Sequence, residues 1–108
     1  MSTQTSEAVV LNLNESLAAA PAESIVSRSL YGDDQVKAVL FSFAPGQELS
    51  EHTAATPAIL HILQGEAELT LGGQPRAAGP GTWVHLPARL PHALVARTPV
   101  TMLLLLLK

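Results

Sequence analysis

Cysteine is absent from the 108-residue sequence. Its absence excludes disulfide bonds, thiolate nucleophiles and every metal site built on sulfur, so any bound metal has to be held by nitrogen or oxygen ligands. Aromatic residues are scarce, at 4% of the chain, whereas 47% of the residues are hydrophobic. The core therefore has to be built mainly from leucine, valine, isoleucine and alanine.

Positive charge and long apolar runs are also lacking. Six Lys and Arg residues against nine Asp and Glu residues leave no basic stripe, which excludes nucleic acid as a partner. The apolar run Met102–Leu107 is far shorter than the roughly 20 residues of a membrane helix, so we expect a buried strand and no membrane anchor. The polar start resembles no signal peptide. We predict a cytoplasmic protein with a flexible leader at residues 1–8 and a single domain at residues 9–108.

Eight prolines and seven glycines interrupt the chain so often that no helical pattern of ordinary length survives after residue 21. This frequent spacing of prolines and glycines favours β structure. The residues Ala18–Pro21 fit either a helical turn or a loop. Strands are predicted, in chain order, over Val9–Leu13, Ile25–Tyr31, Gln35–Phe43, Glu66–Leu71, a partner beginning near Gln74, Thr82–Leu86, Ala93–Ala96 and Val100–Leu107.

The segment from Glu66 to Leu71 carries the clearest strand signal. Ala67, Leu69 and Leu71 alternate with polar residues, which places the three apolar side chains on one face. Gly72 and Gly73 follow directly, and paired glycines suit a tight hairpin turn. Short strands at regular spacing with such turns predict an all-β sandwich or barrel.

Two of the four histidines lie at distinctive spacings from glycine and proline. Gly46, His52 and Gly65 form one spaced set, and Gly81, Pro87 and His92 form a second. These two sets resemble the frames of the first and second motifs of the cupin family. Further likeness to small single-domain bacterial cupins of unassigned function lies in Val26–Leu30, Leu40–Phe43 and Met102–Leu104. The resemblance thus covers nearly the whole chain.

The resemblance implies a double-stranded β-helix, that is, a jelly-roll barrel of two antiparallel sheets. It also implies a divalent metal (Mn, Fe, Ni or Zn) held in the barrel mouth by His52 and His92. The chain departs from the pattern at Ala54 and Ala58, where the family places its second histidine and its carboxylate. Arg89 and Ala96 depart from the second motif at positions that serve the turn and the strand.

His61 is the candidate third metal ligand, although strand alternation points it away from the face shared by residues 58, 60 and 62 unless a bulge intervenes. Leu60, Ile62 and Trp83 are the candidate substrate contacts, Trp83 as a stacking wall. His85 matches no motif position and is interpreted as structural. By alternation, the carboxylate of Glu48 shares a face with His52 and that of Glu51 does not.

Three hypotheses for the function remain open at this stage. The first is a metal-dependent enzyme of the oxygenase or isomerase type that acts on a small organic substrate. The second is a metal-free module that binds a small molecule without converting it. The third is a structural or regulatory partner whose pocket has lost its role. Because an open sandwich leaves unpaired strand edges, we also expect a homodimer formed through an N-terminal strand or the apolar C-terminal strand.

Overall fold

The computed structural model describes residues 7–108, and within them the chain forms nine β-strands, one short 3-10 helix and no α-helix. The helix is Leu13–Ser16. The strands are β1 Ile25–Gly32, β2 Val36–Phe43, β3 Glu48–His52, β4 Ala58–Gln64, β5 Ala67–Leu71, β6 Gln74–Ala78, β7 Trp83–Leu86, β8 His92–Ala96 and β9 Val100–Leu107. None of the described residues belongs to a helix long and apolar enough to cross a membrane.

The strands form two antiparallel sheets that face each other as a jelly-roll barrel. The five-stranded sheet has the order β1-β2-β9-β4-β7, and the four-stranded sheet has the order β3-β8-β5-β6. Residues from both sheets meet in one core, whose largest fully buried side chains are Phe43, Ile62, Leu69, Leu86, Met102 and Val100. The predicted all-β jelly-roll fold is therefore confirmed.

Most of the predicted strands are present within a residue or two of their expected bounds, but the strand predicted over Val9–Leu13 was wrong. Residues 9–12 have no regular structure, and the helix Leu13–Ser16 begins directly after them. The side chain of Asn12 accepts a hydrogen bond from the backbone N of Asn14 at 3.0 Å. This local bond caps the helical turn and competes with strand pairing. The residues Ala18–Pro21 form a loop.

The predicted leader falls mostly on residues 1–6, which lie outside the described residues, while Glu7 and Ala8 are exposed and have no regular structure. The segment that follows crosses the outer face of the five-stranded sheet. It is tied there by Arg28, whose Nη2 donates to the carbonyl oxygen of Ser16 at 2.8 Å. The segment therefore covers the outer face beside β1 and β2.

The turn between β1 and β2 is fixed by the carboxylate of Asp33. It accepts hydrogen bonds from the hydroxyl of Tyr31 at 2.6 Å and from the backbone N of Gln35 and Val36 at 2.7 and 2.9 Å. The bond to Tyr31 and these backbone bonds lower the pKa of Asp33, and the same hydroxyl–carboxylate bond raises the pKa of Tyr31. This turn sets the register of the β1–β2 hairpin.

The leucine-rich strand β9 lies in the middle of the five-stranded sheet, hydrogen-bonded to β2 on one side and to β4 on the other. Both edges of β9 are therefore paired within the chain, and the homodimer expected through this strand stays a prediction. Val100, Met102, Leu104 and Leu106 point into the core. Only the opposite face of β9 is left without a second layer of β structure.

Candidate functional site

A cavity opens into the barrel between the two sheets. Among residues 7–108, its walls are six leucines together with Ala93 and Met102, and its only polar side chains are those of His52 and His92. The free space among these residues is about 360 Å³, which includes the open mouth. Most of this space is open to solvent at the mouth, and the enclosed part has a volume of about 30 Å³. That is room for little more than one or two water molecules, well below the roughly 300–1,000 Å³ of ligand pockets. The cavity is therefore narrow and mostly apolar, and a compact ligand enters it only if the surrounding side chains move apart.

His52 and His92 meet at the mouth because their strands pair. His52 is the last residue of β3, His92 is the first residue of β8, and the two are direct partners in the antiparallel ladder. Their ring centroids lie 4.1 Å apart with an interplanar angle of 61°. The structure thus brings together the two histidines that the motif spacing singled out.

A register shift in β3 decides which side chains accompany His52. The pairing of β3 with β8 shifts between Leu49 and His52, and both of these side chains line the cavity although they are an odd number of residues apart. Such a bulge reverses the alternation of the strand. Glu48 is exposed, is paired with Val95 and does not line the cavity. The expectation that Glu48 shares a face with His52 was therefore wrong.

Backbone carbonyls fix the orientation of both imidazole rings. Nδ1 of His52 lies 2.8 Å from the carbonyl oxygen of Ser50, and Nδ1 of His92 lies 2.9 Å from that of Leu90. A carbonyl oxygen can only accept a hydrogen bond, so Nδ1 carries the proton on each ring. When the ring is neutral, Nε2 then bears a lone pair and can accept a hydrogen bond or bind a metal.

His61 does not join this pair. Ala58, Leu60 and Ile62 of β4 are buried and point inward, and His61 alternates with them. On the outer face it pairs with Trp83 of β7 and with Leu103 of β9. The register shift in β4 comes after Ile62, so no bulge turns His61 toward the cavity. The predicted role of His61 as third ligand is corrected on this ground.

The three predicted substrate contacts lie in three different parts of the barrel. Leu60 lines the cavity. Ile62 is 0% exposed and lies in the core beyond the cavity lining. Trp83 is 58% exposed and is the cross-strand partner of the outward-facing His61. It therefore forms no stacking wall in the barrel. His85 is also exposed and pairs with Ile59 on the same outer face.

The cavity does not fit the divalent metal that the resemblance implies. Among residues 7–108, no three His, Cys, Asp or Glu side chains are grouped so that they could hold a metal ion. Ala54 and Ala58 supply no ligand atom, and Ala58 is 3% exposed with its methyl group in the core. The remaining donors are two imidazole nitrogens, whereas metal sites in catalytic zinc proteins have three protein ligands.

Sequence reasoning missed most of the apolar wall. Leu69 and Leu71 of β5 could have been found, because the alternation of that strand already placed them on one apolar face. Leu94 and Met102 lie in runs that are apolar at nearly every position, so no alternation identifies their inward faces. Leu49 lies beside the bulge, which has no clear sequence signal. The wall is visible only once the pairing of the strands is known.

Comparisons with known proteins agree with this architecture. The family model described as "Cupin domain" matches residues 39–107. A solved cupin superfamily protein from Desulfitobacterium hafniense is 34% identical, with a TM-score of 0.80, over 85% of this chain and 84% of that one. A protein of unknown function from Streptococcus pyogenes is 31% identical, with a TM-score of 0.81, over 96% of this chain and 90% of that one.

One similar structure is that of an enzyme. It is the DMSP lyase from Ruegeria pomeroyi, which is 29% identical with a TM-score of 0.72. The match covers 78% of this chain but 47% of the lyase, so the chain spans about half of that protein. No curated protein matches the chain. The family match and the relatives from Desulfitobacterium hafniense and Streptococcus pyogenes, both above 30% identity, agree with the sheets and motif positions of the fold, and the chain belongs to the cupin family.

Proposed function

We propose that this chain is a small-molecule binding module whose barrel cavity takes a compact, mostly apolar ligand without a resident metal. The observation that carries the proposal is the composition of the cavity, in which eight aliphatic or thioether side chains surround two imidazoles. Apolar walls with a few polar groups are the usual makeup of a ligand pocket. Burial of the ligand's apolar surface would supply most of the binding free energy.

A metal-dependent enzyme is the second candidate, because Nε2 of both His52 and His92 bears a lone pair for a metal when the rings are neutral. Mn, Fe, Ni or Zn could be held by imidazole nitrogens. Such an ion would need at least one further ligand from water or substrate, since no third protein ligand is grouped with the pair among the described residues. The metal-free binding module needs no metal-coordinating side chain beyond those that line the cavity, and we therefore prefer it.

The binding proposal is tested with untagged protein and an apolar probe. Elemental analysis is expected to find no stoichiometric metal, and toluene is expected to shift the methyl resonances of Leu69 and Leu94, which line the cavity. The variant Leu71→Trp fills the mouth and should abolish these shifts. Ala77→Trp is the matched control, because Ala77 is exposed on the four-stranded sheet and lies outside the cavity. Stoichiometric metal, or no toluene binding by the wild type, would contradict the proposal.

The third hypothesis, a structural or regulatory partner with a pocket that has lost its role, makes a different prediction. It requires that Leu71→Trp leaves every ligand-dependent property of the protein unchanged, because nothing would bind in the cavity. Ligand-dependent thermal stabilisation of the wild type that is lost in Leu71→Trp contradicts that hypothesis. The same result supports the binding module.

We also propose that two copies of the chain associate through the outer face of the five-stranded sheet. The outward side chains Leu103 and Leu105 of β9 are only half-buried, and Trp83 and Val26 are exposed. The segment crossing this face adds Val9, Val10 and Leu11, which are 55%, 88% and 47% exposed. Exposed apolar surface concentrated on one face is typical of an interface. A second copy would bury it symmetrically.

A further inference from the structure

The polar groups of the cavity are hydrogen-bond acceptors. His52 and His92 supply its only polar side chains in the part of the chain that the structure describes. Their Nδ1 atoms already donate to the carbonyl oxygens of Ser50 and Leu90. The atom that each neutral ring has left for a ligand is Nε2, which bears a lone pair and no proton.

The charge of the surroundings restricts the ligand further. No described Lys or Arg side chain lines the cavity, so an anionic ligand would meet two lone pairs and no cation. No described Asp or Glu side chain lines it either, so a cationic ligand would be buried among leucines without a counterion. Burying an unpaired charge in apolar surroundings is costly. The charge distribution therefore favours a neutral ligand.

We infer that the ligand carries a neutral hydroxyl group, phenolic or alcoholic, that donates a hydrogen bond to Nε2 of His52 or His92 while its apolar body lies among the leucines. This inference rests on the proposed binding function and names the chemical class of its ligand. A hydroxyl is small enough to sit beside two rings whose centroids are 4.1 Å apart. It also satisfies a lone pair that an apolar ligand would leave without a partner.

The test compares two probes that differ in a single group, phenol and toluene. Their dissociation constants are measured by NMR titration for the wild type, for His52→Phe, for His92→Phe and for the double variant. Phenylalanine keeps an aromatic ring but has no acceptor nitrogen. The ratio of the toluene Kd to the phenol Kd removes the general effect of each substitution on the apolar wall.

If the ligand donates a hydroxyl hydrogen bond, the ratio of the toluene Kd to the phenol Kd should fall by about two- to tenfold in the double variant, because one net hydrogen bond is lost. His61→Phe is the matched control and should keep the wild-type ratio, since His61 lies on the outer face. A ratio that is equal in the wild type and in the double variant overturns the inference, while toluene binding leaves the proposed function standing. If neither probe binds the wild type, both are overturned.

A second measurement on the wild type keeps the inference testable if the double variant fails to fold. The ¹⁵N resonance of Nε2 of His52 or His92 should shift on addition of phenol and stay in place on addition of toluene. Benzoate is the anionic comparison and should bind more weakly than phenol. Tighter binding of benzoate, with protons on both nitrogens of a ring, would show that the site takes an anion through imidazolium and would overturn the inference.

Discussion

The inner and outer histidine pairs of this barrel carry the same side chain in different surroundings. His52 and His92 face each other at the mouth of an apolar cavity, with each Nδ1 bound to a backbone carbonyl. His61 and His85 lie on the outer face of the five-stranded sheet, on the neighbouring strands β4 and β7. The comparison shows that the alternation of side chains along each strand, together with the bulge in β3, decides which histidines face the cavity and can contact a ligand.

The largest expected effect is a difference in the free energy of unfolding between substitutions at two neighbouring positions of β4, Ile62 on the inner face and His61 on the outer face. Ile62→Ala removes a fully buried side chain and should lower the free energy of unfolding by about 3 kcal/mol through lost burial and a residual cavity. His61→Ala, one position away on the outer face, is the control and should change it by less than about 0.5 kcal/mol. Urea denaturation at a fixed protein concentration measures both. Equal losses would contradict the assignment of the two faces.

The proposed homodimer makes the outer face sensitive to charge. Leu105→Lys places a charge on the outward side of β9, opposite Ala38 of β2, and should weaken self-association by roughly a hundredfold or more. Sedimentation velocity at micromolar concentration is expected to show a dimer for the wild type and a monomer for the variant. Glu51→Lys, an exposed substitution beside the cavity mouth, should leave the dimer intact. A monomeric wild type would remove the proposed interface.

The smallest expected effect is the response to metal removal. The inner pair lacks a third grouped ligand among the described residues. If the protein works as the proposed metal-free binding module, dialysis against a chelator should change the melting temperature by less than about 1 °C. His52→Ala should respond to the chelator in the same way as the wild type. A drop of several degrees that occurs in the wild type and is absent from His52→Ala would favour the metal-dependent alternative.

The sequence was sufficient to predict the fold and the two histidines at the mouth. Alternation in Ala67–Leu71 and the glycine turn after it located a hairpin that the structure contains. The spacing of glycine and proline around His52 and His92 identified two positions that meet in space although they lie on distant strands. Both signals are local patterns with a fixed geometric meaning, and this is why they can be interpreted without a structure.

The parts that sequence reasoning missed depend on long-range pairing. The bulge between Leu49 and His52 is a property of how β3 pairs with β8, and it reverses the expected face of Glu48. Trp83 was placed near the site because of its type, but its side of β7 is set by pairing with β4. The mostly apolar residues Val9–Leu13 suggested a strand, and the side-chain bond of Asn12 directs the chain into a helical turn instead.

The most direct test of the central claim is a two-bond ¹H–¹⁵N correlation spectrum of the four imidazole rings at a pH where all four are neutral, combined with nuclear Overhauser effects between them. The expected result is a proton on Nδ1 and none on Nε2 for both His52 and His92, with contacts between the two rings and from each to leucine methyl groups. A proton on Nε2 of either ring, or two rings without mutual contacts, would contradict the claim that these histidines form one pair of acceptors at the mouth of an apolar cavity.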